Sequence, residues 1–82
     1  MTFRITVVLR LSGRIQSHSL DELREQVRTH RASALDLEEV TLVDVAAVRF
    51  LIACEVDGIA LVNCSRYIHE WMHRERGKSD RR

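Results

Sequence analysis

Alternation of period two opens the chain. Ile5, Val7, Leu9 and Leu11 alternate with Thr6, Val8, Arg10 and Ser12, the pattern of a strand with a buried face. Gly13 is expected to end that strand, and the polar loop Arg14–His18 follows. The period then lengthens. Leu20, Leu23 and Val27 form a stripe at helical spacing over residues 20–30, and Ser19 with Glu22 three residues on predicts a capping box at its start. A second strand is expected at about Ser33–Leu37, with Glu38 and Glu39 at its exit; apolar positions continue through Val40, Leu42 and Val43 to Asp44. Asp44 is a good N-cap for a small-residue helix over 45–56, which Asp57-Gly58 stops with glycine in the left-handed position. Ile59–Val62 is short and wholly apolar, as in a sheet interior. Asn63 or Ser65 then caps a third helix over 66–74, with Tyr67, Ile68, Trp71 and Met72 as its apolar contribution.

The order is β-α-β-α-β-α. It predicts the α/β class, with a small, mainly parallel sheet joined by right-handed crossovers. Three strands leave an edge that either Met1–Arg4 extends or a second molecule covers, so a homodimer is one expectation. Eighty-two residues hold one domain, which buries only about 60–65% of its unfolded surface and leaves little room for a long catalytic cleft. Charge divides the chain at residue 72. Residues 1–72 carry eight Lys/Arg against ten Asp/Glu, whereas 73–82 carry five against two. The expectation is a single domain over 1–72 and a basic, solvated tail over 73–82.

Composition narrows the function. Cys54 and Cys64 make no disulfide framework, which points to a reducing, cytoplasmic setting. The N-terminus reads without a leader, and no apolar run approaches the roughly 20 residues of a membrane span. The body has no basic face or aromatic platform, so nucleic acid is not an expected partner. The sharpest catalytic motif is His69-Glu70-Trp71-Met72-His73, which fits H-E-x-x-H and would place two imidazoles on one helix face to hold zinc. A zinc hydrolase needs a third protein ligand. Only nine residues follow His73, and Glu75 points to another side of a continuing helix. Two surface histidines are the ordinary reading, and a metal-dependent hydrolase is the least favoured one. Gly13, Gly58 and Gly77 are too scattered for a phosphate loop, Cys54 and Cys64 read as small hydrophobes, and Glu38, Glu39 and Asp44 read as a solvated edge. No catalytic residue, cofactor or bound metal is expected.

Leu11-Ser12-Gly13-Arg14-Ile15, the capped helix, and Leu35-Asp36-Leu37-Glu38-Glu39-Val40 leading into Val43-Asp44 together resemble the STAS domain. That family is named for sulfate transporters and anti-sigma factor antagonists. Leu11, Ser12 and Gly13 match its Leu-X-Gly before the first helix. Asp44 matches the aspartate of its Asp-Ser-Ser/Thr-Gly motif, but Val45 falls on the phosphorylatable serine, Ala46 on the second hydroxyl and Ala47 on the glycine. Family antagonists bind an anti-sigma kinase when unphosphorylated and are released by phosphorylation, a switch that valine cannot run. The resemblance therefore implies a non-catalytic protein-binding module with a permanently uncharged contact surface. It places that surface on Arg14, Ser17, His18, Asp44, Val45, Ala46, Val48 and Arg49, facing a protein partner such as an anti-sigma kinase; a pure core role is the alternative for some of these, Val48 above all. A homodimeric accessory subunit that kept the fold is the alternative.

Overall fold

The computed structural model describes residues 6–79. Three parallel strands, β1 (Val8–Ile15), β2 (Ala34–Val43) and β3 (Ala60–Val62), lie in the order β1-β2-β3. Three helices, α1 (Leu20–His30), α2 (Val45–Val56) and α3 (Arg66–Ser79), alternate with them, so the α/β class and the β-α-β-α-β-α order hold. Right-handed crossovers that step twice in the same direction put their helices on the same face of a sheet. The core accordingly lies on one side, where Leu35 and Leu37 of β2 meet Val48 and Leu51 of α2 and Ile68 of α3, all 1% exposed or less. On the other side Val8, Arg10, Ser12, Ala60 and Val62 are exposed. Asp36 sits among them, 4.0 Å from Arg10 Nε and accepting a 3.1 Å hydrogen bond from Asn63 Nδ2.

Several local outcomes differ from the sequence expectation, each for a tertiary reason. The proposed strand start at Ile5, and any extension by Met1–Arg4, lie outside the described residues. Gly13 does not end β1; it takes φ +76° inside the strand, which runs on to Ile15. β2 passes through Glu38 and Glu39 to Val43, because pairing with β1 satisfies its backbone whatever the side chains face. No Ser19–Glu22 capping box forms. A single 3₁₀ turn at Ser17–Ser19 leads into α1, so the Ser19 hydroxyl turns back and donates to the Gln16 carbonyl at 2.9 Å. Ser65 caps α3, its hydroxyl oxygen accepting from Ile68 N–H at 3.3 Å.

The polar segment after His73 is helical as far as Ser79, and Glu75 is 4% exposed. Its carboxylate lies 3.4 Å from Arg49 Nε of α2 and 3.2 Å from Lys78 Nζ, while Arg76 pairs with Glu55 of α2. Those ties carry the helix past Arg74. Residues 80–82 lie outside the described residues.

Candidate functional site

The register of β1 on β2 builds the site. Arg14 is opposite Leu42 and Ile15 opposite Val43, so both strands finish side by side and the loop after β1 meets the start of α2. The Ile15 carbonyl accepts from Asp44 N–H at 3.3 Å. Asp44 then joins the two segments with one carboxylate. Oδ1 accepts from Ala47 N–H at 2.9 Å, the N-cap of α2, and Oδ2 accepts from Ser17 N–H at 2.8 Å across the gap to the loop. These two backbone donors, Ala47 first, hold its carboxyl below the usual aspartate range, with a smaller contribution from the charge of His18.

Around that clamp Arg14, Ser17 and His18 are exposed, and Val45 presents 41% of its surface from the first turn of α2. Arg49, one turn further along, stands on the same face as Val45 with its side chain 70% exposed. Its guanidinium is shared with Glu75, whose own carboxyl is held low chiefly by Lys78 and then by Arg49. Ala46 is half-buried against the core. Val48 is the correction: at 0% exposure it packs inside the core and presents nothing to a partner. Its neighbours 45–56 are almost all apolar, so the sequence had no polar side from which to infer the buried one. Leu42 lies beside this surface, outside the set that the sequence points to. It is 41% exposed opposite Arg14, and its alternation with buried Val43 was the available signal.

The other candidate chemistry is not assembled. His69, Glu70 and His73 line a shallow groove of about 540 Å³ on α3, and Glu70 pairs with Arg66 at 3.9 Å. Among the described residues, no group of three or more His, Cys, Asp and Glu could hold a metal ion. Cys54 is buried, and desolvation, with Asp57 adding, pushes its thiol up to about 11, far from a reactive thiolate.

The family described as "Mlab, STAS domain" matches residues 3–74. The chain belongs to the STAS family. No curated protein and no solved structure matches it. STAS domains are protein-interaction modules, generally without catalysis, and include anti-sigma factor antagonist-like and sulfate transporter-associated forms. This STAS domain has, among its described residues, no helix long and apolar enough to cross a membrane.

Proposed function

We infer that this STAS domain is a non-catalytic module that binds a cytoplasmic protein partner through the Arg14–His18 loop and the first turn of α2. The observation that carries this reading is the position of Val45. It stands exposed at the helix start, beside a loop that Asp44 fastens in place. A phosphate at that place would meet the positive end of the helix dipole and change the local charge by about −2. Valine keeps that position apolar and uncharged, which fits a constitutive binder of an anti-sigma kinase or a related regulator. Val45 and Leu42 supply apolar contact, Arg14, His18 and Arg49 supply polar orientation, and Asp44 positions the loop. The two free thiols suit a reducing compartment.

The test is a quantitative pull-down from native-host lysate with wild type and Val45→Asp, the retained proteins being identified by mass spectrometry. Val45 is exposed, so the aspartate variant should fold with an unchanged circular dichroism spectrum. Retention of an ATPase-fold regulator by wild type, lost in Val45→Asp, is the expected result. Equal retention by both would remove the interface from this surface. Retention of no specific protein by wild type would remove the partner-binding reading itself.

A further inference from the structure

β1 is an edge strand: among the described residues, only β2 pairs with it. Both irregularities in that pairing fall on β2. Between Arg10 and Ser12, β2 advances from Asp36 to Glu39, and between Gly13 and Arg14 it advances from Val40 to Leu42. The free side of β1 therefore stays regular until Gly13, whose positive φ interrupts it. The Val7 carbonyl accepts from Ser33 and Ala34 N–H on the β2 side. By alternation Leu9 and Leu11 also turn their backbone groups toward β2. Thr6, Val8, Arg10 and Ser12 turn theirs to the open side.

Counting the two residues that lead into β1, Thr6-Val7-Val8-Leu9-Arg10-Leu11-Ser12 is a near-palindrome about Leu9. Laid antiparallel on a copy of itself with Leu9 on the two-fold axis, it sets Thr6 opposite Ser12, Val7 opposite Leu11 and Val8 opposite Arg10. Every pair joins residues from the same sheet face. The even-numbered pairs, whose N–H and C=O groups face outward, fall where antiparallel partners exchange hydrogen bonds, about eight in all. Hydroxyl meets hydroxyl and apolar meets apolar, the favourable cross-strand combinations. The single charge in the stretch, Arg10, opposes valine and keeps its own counter-ion, Asp36 at 4.0 Å. Centring on Arg10 instead would oppose two arginines, and centring on Leu11 would set Leu9 against the Gly13 kink.

A second observation points to the same occupant. Beside this edge, between β1 and α1, runs a groove of about 290 Å³ whose apolar lining is Leu11, Ile15 and Leu23. In this register the incoming strand's Val7 lies opposite Leu11 and projects to that side. We propose that a second copy of this chain pairs its β1 with this edge, antiparallel about Leu9, making one continuous six-stranded sheet with two-fold symmetry. Seven paired residues extend only about 23 Å, so strand pairing alone makes a contact smaller than a standard interface of roughly 800 Å² per partner. The dimer is therefore expected to be weak and concentration-dependent.

Sedimentation velocity of the full chain from about 1 µM to about 500 µM tests this. The expected result is a monomer–dimer equilibrium. Val8→Lys, at a side chain that is 52% exposed, places lysine opposite Arg10 of the second copy. It should weaken the dimer at least about ten-fold while leaving the thermal midpoint unchanged. Register is read separately. Leu9→Cys puts two thiols on the axis, about 4.5 Å apart at Cα and within disulfide reach, so mild oxidation should give a covalent dimer that Leu11→Cys does not. A constant monomer mass over the whole range, a dimer indifferent to Val8→Lys, or equal cross-linking of the two cysteine variants would each overturn the proposal. The first of these would leave the Val45 surface standing.

Discussion

Val48 and Val45 are the same residue type three positions apart on α2, yet truncating them should have very unequal consequences. Val48 is 0% exposed and sits among Leu35, Leu51 and Ile68 of the core. Val48→Ala removes two methyl groups, worth about 1.6 kcal/mol in transfer free energy. The unfilled space, roughly 50 Å³ if nothing relaxes, adds about 1.2 kcal/mol at about 24 cal/mol per Å³. The loss is thus about 3 kcal/mol, against a total of about 4–12 kcal/mol for a domain of this length. At about 4–8 °C per kcal/mol the thermal midpoint should fall by about 12–24 °C. Val45, 41% exposed at the helix start, loses about 1 kcal/mol of burial on truncation to alanine. Alanine's better helix propensity recovers about half of that. Urea titrations followed by circular dichroism at 222 nm, with matched slopes, give both numbers. A loss below about 1 kcal/mol for Val48→Ala, or equal losses for the pair, would refute the division of α2 into a core side and an exposed side.

Acid stability should respond to Asp44. Its carboxyl is held below the ordinary aspartate value by Ala47 and Ser17 N–H, so its stabilising contribution is complete above about pH 5 and is lost as pH falls through the folded-state value. Asp36 and Glu75 are shifted the same way. Asp44→Asn should therefore shrink, without abolishing, the drop in urea midpoint between about pH 6 and pH 3; an undiminished drop would contradict the clamp. For Cys54, a thiol pKa of about 11 leaves about one thiolate per thousand at pH 8. A thiol-reactive aromatic disulfide should leave Cys54 unmodified in the native protein, with mapping by mass spectrometry, and modify it once urea unfolds the chain. Rapid native labelling would contradict its burial.

The bounds of α1 and α2 could be read from the chain because their signals are local. A stripe at Leu20, Leu23 and Val27 fixes the first, and Asp44 with Asp57-Gly58 brackets the second. The surface assembled by Asp44 was legible in outline for a related reason: a helix start and a preceding loop meet wherever two parallel strands end together. What could not be read depends on contacts distant in sequence. α3 continues past Arg74 because Glu75 meets Arg49, 26 residues away, and no local pattern announces that pairing. β2 tolerates Glu38 and Glu39 because β1 holds its backbone. For Val48 the sequence leaves surface and core both open, because a helix apolar on nearly every side has no stripe to orient it. Ser19, followed by Glu22 at capping-box spacing, instead closes a turn whose backbone is already helical before α1 begins.

The double acceptance by Asp44 also has a kinetic meaning. The loop and the helix start are tied by bonds of 2.8 and 2.9 Å to a single carboxylate, so they share one anchor. If a partner docks at Val45 as proposed, it meets a surface already tied in place and waits for no rearrangement. Its approach to binding should follow a single exponential whose rate rises linearly with concentration, in the ordinary range of about 10⁵–10⁷ M⁻¹s⁻¹. Removing the carboxylate would free the loop, and the same encounter would acquire a second, concentration-independent phase while the surface reassembles.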